Sequence, residues 1–343
     1  MQSRWQRSGP VVTLVLLAPF IAELLSGATR LSVIYVLIPE IMTWGCGALI
    51  IRELVRRWQG GWPSLLLLAP AIAIAEEFII QQTSLAPLVW VKSTHIYGRM
   101  FGVNWVWLLA MLVYETFAVV LLPVQFTELA VRDRRNAPWL RTRGLIVATV
   151  VFLLGAFLAC FAWTQNYRIR ILHLPPYHPP ASYIAAGFAA IALLAFASYR
   201  SRTAAFRAKR ANSKAVSPLI VGIVTAVLTY PWQYAIALNF NLLPKLPFWI
   251  AIVVGIAYVA IVFFILRWLS SAAGWSDVHR FAVCAGATLA IMAWGITTVW
   301  HGKRTDVVGE AIFIAIGTAL SISLARRLRA GRESKEPQQT TYA

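Results

Sequence analysis

The sequence is poor in charged residues, which occupy only 13% of its 343 positions. Soluble domains carry about 25% charged residues, whereas 59% of this chain is hydrophobic. This balance excludes an ordinary water-soluble domain and predicts an integral membrane protein. Cysteine is also scarce, and Cys46, Cys160 and Cys284 lie far apart in apolar stretches. A disulfide framework and a zinc knuckle are therefore excluded.

Several short catalytic motifs are missing as well. The sequence contains no H-E-x-x-H, no Walker loop and no G-x-S-x-G. Zinc proteases, nucleotide-driven transporters and serine hydrolases therefore lack their minimum residues here. The residues identify no metal and no cofactor.

Long apolar runs dominate what is present. A membrane-spanning helix needs about 20 mostly apolar residues, and the runs predict an all-α bundle of ten such helices. We place all ten in a single membrane domain, residues 1–326, followed by a disordered cytoplasmic tail, residues 327–343. The predicted spans are Val11–Leu25, Leu31–Ile51, Trp62–Gln82, Trp105–Ala130, Gly144–Trp163, Ser182–Ser198, Pro218–Ala237, Phe248–Leu269, Phe281–Trp300 and Val307–Ala325.

The basic residues predict the orientation. The chain has 31 Lys and Arg against 13 Asp and Glu, a net charge of +18. Of these basic residues, 23 fall in the amino-terminal segment, the even-numbered loops and the tail. Because cytoplasmic loops collect Lys and Arg, we predict a cell-membrane protein with both termini in the cytoplasm. The same asymmetry explains the charge without nucleic acid, so the expected partners are the lipid bilayer and an unidentified membrane substrate or solute.

The acidic residues are distributed unevenly, with none between Arg134 and Ser276. Ionisable groups at membrane depth are costly and normally face a bundle interior or a wet cavity. Six of the seven acids within predicted spans lie in the first four, residues 11–130, which predicts that the site is there and not in residues 144–325. The seven are Glu23, Glu40, Glu76, Glu77, Glu115, Glu128 and Glu310.

Estimated depths suggest a cavity that opens outward, with Glu40, Glu77 and Glu115 at its floor. Gln81 follows Glu77 by one helical turn and is expected to share its face. No Lys or Arg lies deep in any predicted span. Glu128, at the cytoplasmic end of span four, is expected to be merely solvated.

Residues 73–81, AIAEEFIIQ, resemble the first motif of the CAAX-processing and bacteriocin-processing membrane endopeptidases. That family has a glutamate pair followed four residues later by arginine, and a histidine on a later helix. The resemblance implies that Glu76 and Glu77 activate a water for peptide hydrolysis within the membrane. The chain departs from the family pattern, because Gln81 stands at the arginine position and Glu115 near the expected histidine.

Three functions remain open at this point. In an endopeptidase, Glu76, Glu77 and Glu115 would be catalytic, with His301 or His95 as proton partners.

A proton- or cation-coupled transporter would instead use Glu40, Glu77 and Glu115 as its binding site. The third possibility is a scaffold without chemistry. Glu310, near the outer end of span ten, is a further supporting candidate in the enzyme and transporter hypotheses.

Overall fold

The computed structural model describes residues 4–86, 98–171, 173–204, 210–241 and 247–333. Within these ranges, eight helices are long and apolar enough to cross a membrane, and two more apolar helices are shorter. In chain order they are α1 Ser8–Leu24, α2 Leu31–Arg57, α3 Trp62–Ile80, α4 Trp105–Ala130, α5 Thr142–Arg170, α6 Ala181–Thr203, α7 Pro218–Gln233, α8 Phe248–Ser270, α9 Asp277–Val299 and α10 Arg304–Ala330.

The all-α prediction is confirmed, and eight predicted spans coincide with long apolar helices. The first and seventh predicted spans correspond to α1 and α7. The helix that contains α1 begins at Arg4, and the helix that contains α7 is Pro218–Asn241. The number of ten spans and the cytoplasmic orientation of both termini stay predictions. The helix that contains α10 continues to Glu333, beyond residue 327 where the predicted tail begins, and residues 334–343 lie outside the described ranges.

Short strands occur only in connecting segments of the described chain. β1, Arg99–Met100, pairs antiparallel with β2, Val103–Asn104, immediately before α4. β3, Arg210–Lys214, pairs in parallel with β4, Ala272–Ala273. The Asn104 side chain accepts a hydrogen bond from the backbone N–H of Trp107 and so caps α4. This cap fixes where the fourth helix begins.

Wide π-helical turns occur in five of these helices, inside α2 and α4 and at the ends of α1, α3 and α5. Such turns are rare in proteins and often occur at functional sites. Four of them fall in α1 to α4, and the fifth ends α5. Their bounds are Phe20–Leu24, Ile41–Gly45, Glu76–Ile80, Thr116–Leu121 and Phe161–Ile171.

The core lies between α1, α2, α3, α4 and α9, where Leu14, Leu49, Leu65 and Ile291 are almost fully buried. In the most apolar stretch of α3, 67% of residues are buried, whereas none are buried in that of α8. The outer helices α5, α6, α8 and α10 therefore present apolar side chains outward, as a lipid-facing layer requires.

Glycines allow the inner helices to approach closely. A Cβ atom added to Gly45 would lie 2.2 Å from the Val15 carbonyl oxygen, and one added to Gly286 would lie 2.1 Å from that of Gly222. Small residues at such positions let helix backbones touch, which is how membrane helices gain packing contacts. Gly45 thus holds α1 against the π turn of α2.

Candidate functional site

Five buried glutamates lie in α1 to α4, and each is inside or directly next to a π turn. Their exposed fractions are 8% or less. We call them the carboxyl cluster: Glu23, Glu40, Glu76, Glu77 and Glu115.

Electrostatic interactions link the five side chains through shared neighbours. Glu115 interacts with Glu77, Glu76 and Glu23, and Glu40 interacts with Glu23 and Glu76. Of the three acids that the sequence predicted as one site, Glu77 and Glu115 interact directly, whereas Glu40 is linked to them through Glu76 and Glu23. Glu23 was not one of those three. Its signal was the same as that of the others, an acid within an apolar run.

Thr29 joins the first two members of the cluster. Its hydroxyl forms a short hydrogen bond with Glu23 Oε2 and lies 3.0 Å from Glu40 Oε1. A hydroxyl carries a single proton, so it donates to one carboxylate only. The other contact is satisfied when that carboxyl is protonated and donates to Thr29. The arrangement therefore fits a Glu23 and Glu40 pair that holds at least one proton.

Neutral donors also serve the glutamate pair of α3. Trp44 Nε1 donates to Glu76 Oε1 over 2.7 Å. The hydroxyls of Thr83 and Ser84 donate to Glu77 Oε2 over 2.7 and 2.6 Å. Thr83 and Ser84 follow the end of α3, so the chain turns back on itself to cover the acid.

The segment that carries Ser84 is held by neighbouring backbone and by Arg99. The backbone N–H of Asn104 donates to the Ser84 carbonyl oxygen over 2.9 Å. Arg99 donates to the carbonyl oxygens of Leu85, at 2.8 Å, and Ala86, at 3.1 Å. Burial lowers the pKa of the Arg99 guanidinium from its ordinary value. The loop before α4 therefore positions the donors of Glu77.

Three oxygens of the cluster, Glu40 Oε2, Glu76 Oε2 and Glu115 Oε2, are buried without a hydrogen-bond partner among the described residues. A buried polar atom without a partner is costly, and an unpaired buried charge costs far more. The side-chain donors to the cluster belong to Thr, Trp and Ser, and all are neutral. Within the described ranges, no group of three or more His, Cys, Asp or Glu side chains is placed to hold a metal. Such surroundings favour the protonated carboxyl.

A second set of charges lies near the carboxy-terminal ends of α2 and α4. We call it the charged network: Arg52, Glu53, Arg56 and Glu128. Arg52 is fully buried. It donates to Glu53 Oε1 over 2.8 Å and to Glu128 Oε1 over 3.1 Å. Its guanidinium stacks 3.4 Å from the centre of the Trp139 ring.

The expectation that Glu128 is merely solvated is wrong. Glu128 is 3% exposed, and Arg56 Nη2 donates to both of its carboxylate oxygens over 2.8 Å. Arg52 is likewise not a loop residue, because α2 continues to Arg57. Ending the predicted span at Ile51 removed Arg52 and Glu53 from the count of buried charges.

Glu53 is a buried acid that the sequence prediction missed. Its carboxylate accepts hydrogen bonds from the backbone N–H groups of Trp139, at 2.8 Å, and Leu140, at 3.0 Å. Arg52, Glu53 and Arg56 place acidic and basic residues close together at the end of a helix. This pattern could have indicated a buried ion-pair network, since a buried charge needs an opposite charge nearby.

The remaining predicted site residues lie elsewhere. Gln81 is only partly buried, just past the π turn of α3. His301 is exposed beyond the end of α9, and His95 lies outside the described residues. Glu310 is buried on α10, but it packs against Gly295 of α9, where an added Cβ would lie 2.3 Å from its Oε1.

Comparisons of the chain with protein-family models, with curated proteins and with solved structures found no match. The resemblance of residues 73–81 to the endopeptidase motif therefore stays a prediction.

Proposed function

We propose that the chain is a multi-pass cell-membrane protein whose carboxyl cluster binds and releases protons, and that it carries a solute in exchange for, or together with, those protons. The observation that carries this proposal is the concentration of five buried carboxyl groups whose side-chain hydrogen-bond donors are all neutral. A proton is the ligand that such a group needs in order to stay buried.

Proton release from the cluster has a direct consequence. It places negative charges beside one another in a buried place, so the ionised state is stabilised by a bound cation or by movement toward water. A ligand that binds one of two states better shifts the equilibrium between them. Coupling between proton and solute follows when both prefer the same state.

The helix geometry supports the same proposal. Transporter sites commonly lie near the middle of the membrane, where interrupted helices expose backbone groups to the ligand. Here π turns lie beside Glu40 and Glu115 in the middle of α2 and α4, and π turns at Glu23 and Glu76 form the last turns of α1 and α3. We place the cluster in the outer half of the membrane, because Glu115 precedes Glu128 by thirteen residues of α4, about 20 Å along the axis.

The test uses purified protein in vesicles that contain a pH-sensitive dye. A panel of amino acids, sugars and organic cations is added outside, and the internal pH is followed. We expect at least one solute to drive proton movement in the wild type, and the Glu115→Gln protein to lose it. Asp133→Asn is the control, since Asp133 is an exposed acid beyond the end of α4. A panel that moves no protons, or equal flux in both variants, would refute the proposal.

A second candidate is hydrolysis of a membrane peptide, favoured by the position of Glu115 beside both glutamates of α3. An ionised carboxylate can take a proton from water while a protonated neighbour donates one to the leaving group. Two carboxyl groups in different protonation states are a recurrent solution for this chemistry.

Peptide hydrolysis is tested separately from transport. Membrane peptides from cells with wild-type, Glu76→Gln, Glu77→Gln or Asp133→Asn protein are compared by mass spectrometry. We expect one or more cleavage products to vanish in the two α3 variants and to persist in the Asp133→Asn control. Identical peptide profiles in all four strains would eliminate the hydrolase candidate and leave the transporter proposal standing.

A further inference from the structure

A cavity of about 350 Å³ opens between α3, α4, α8 and α9. None of the five glutamates of the carboxyl cluster lines it. Its wall changes character along its length. One part is polar and basic, with Gln125, Arg267 and Arg280, and the other is apolar, with Phe117 and Phe263. A cavity that is charged at one end and apolar along the rest suits the binding of an amphipathic molecule.

The basic part of the cavity lies at one end of the helices. Arg267 is in the last turn of α8, Arg280 is in the first turn of α9, and Gln125 is near the end of α4. Phe117 precedes Gln125 by eight residues of α4, so the apolar part extends about 12 Å deeper. This end also carries the charged network, and it is the end that we predict to face the cytoplasm.

The rim of the cavity has an excess of positive charge. Arg280 lies 3.6 Å from Asp277, but the same carboxylate also pairs with Arg135 at 2.9 Å and Arg132 at 3.7 Å. Asp277 therefore pairs with three arginines. Arg280 also interacts with Glu128 and with Arg56, and the positive charge of Arg56 offsets the negative charge of Glu128.

We infer that this cavity binds one anionic phospholipid from the adjoining leaflet. Its phosphate lies between Arg267 and Arg280, and an acyl chain runs along Phe117 and Phe263. Basic pockets between membrane helices on the cytoplasmic side recognise acidic headgroups, and arginine pairs with phosphate through two parallel hydrogen bonds. Two other cavities of the described chain, about 270 and 380 Å³, are each lined by a single arginine.

The experiment measures lipid binding to the purified full chain by native mass spectrometry, with phosphatidylglycerol and phosphatidylcholine as probes. We expect phosphatidylglycerol to bind in preference to phosphatidylcholine. Each arginine near an anionic lipid contributes about fivefold in affinity, so the Arg267→Gln and Arg280→Gln double variant should bind it about 25-fold more weakly. Arg143→Gln, an exposed arginine at the same predicted side of the membrane, is the matched control.

A second variant keeps the test decisive if removal of Arg280 disturbs Asp277. Val283→Phe fills the cavity from α9 and leaves both arginines in place, so it should also abolish the preference while its melting temperature stays near wild type. Equal binding of the two lipids would overturn the inference. So would full retention of phosphatidylglycerol by Val283→Phe, or competition by inorganic phosphate that is as effective as the lipid.

Discussion

The carboxyl cluster and the charged network both bury acids in the same four-helix region, yet they are built in opposite ways. Every carboxylate of the network faces an arginine or a backbone N–H, and Arg52 contacts both Glu53 and Glu128. The cluster has neutral donors and three oxygens without a partner among the described residues. Buried charge in the network is balanced, whereas the cluster is left in need of protons.

Under the proposed function, this difference separates structural from functional use of the same residue type. A satisfied ion-pair network holds elements together, because removing one partner leaves the other charge buried and alone. An under-satisfied group is retained at a cost in stability, and natural proteins accept that cost mainly at functional sites. The two regions should therefore respond oppositely to loss of charge.

The largest expected effect is that of Arg52→Ala. It leaves Glu53 and Glu128 short of a cation in a buried place, which costs about 3–5 kcal/mol of unfolding free energy. The measurement is thermal and denaturant unfolding of the purified protein in detergent micelles. Arg143→Gln, which is exposed, is the control and should unfold like wild type. Equal stability of the two variants would show that the network is not structural.

The comparison is sharpest for Glu128→Gln against Glu115→Gln. Loss of the Glu128 charge weakens its bonds to Arg52 and Arg56, and hydrogen bonds to charged groups contribute about 1.5–3 kcal/mol. Glu115→Gln removes the repulsion that arises whenever Glu115 and Glu77 are both ionised, so it should leave stability unchanged or raised. Parallel melting curves test this, and a larger loss in Glu115→Gln would reverse the assignment of the two regions.

Thr29→Val tests the shared proton of Glu23 and Glu40. Valine keeps the shape but removes the hydroxyl between the two acids, and a buried group left without its partner costs about 1–2 kcal/mol. Thr43→Val is the matched control, because Thr43 donates only to the Pro39 carbonyl oxygen of its own helix. If both variants melt alike, Thr29 does not bridge the pair.

The smallest expected change is that of Ser84→Ala. Glu77 loses one of two hydroxyl donors and keeps Thr83, so the cost is about 0.5–1 kcal/mol. Ser270→Ala, at an exposed helix end, should cost less. A loss as large as that of Arg52→Ala would mean that the cluster is held as tightly as the network.

Run length predicted the helices well, because a bilayer of fixed thickness demands apolar stretches of a fixed minimum length. The acids of the first four spans were likewise predictable as a group, since only a shared interior makes their burial tolerable. The ion pairs of Arg52 were not predictable. The predicted span ended at Ile51, whereas Arg52 continues the helix and finds two carboxylates.

Helix register limited the site prediction further. An α-helical spacing placed Gln81 on the face of Glu77, but the π turn Glu76–Ile80 adds a residue to that turn. The donors to Glu77 come instead from Thr83 and Ser84, beyond the helix end. Apolar periodicity carries no signal for such a turn, so sequence alone finds the acid and misses its partners.

The hydroxyl of Thr29 also bears on the net charge of the whole molecule. The value of +18 assumes that all thirteen acids are ionised, whereas the hydrogen bonds of Thr29 fit a Glu23 and Glu40 pair that holds one hydrogen. The folded protein is then at least one unit more positive than its composition states. Its attraction to an anionic leaflet grows accordingly, and unfolding in neutral buffer should release that hydrogen to the solvent.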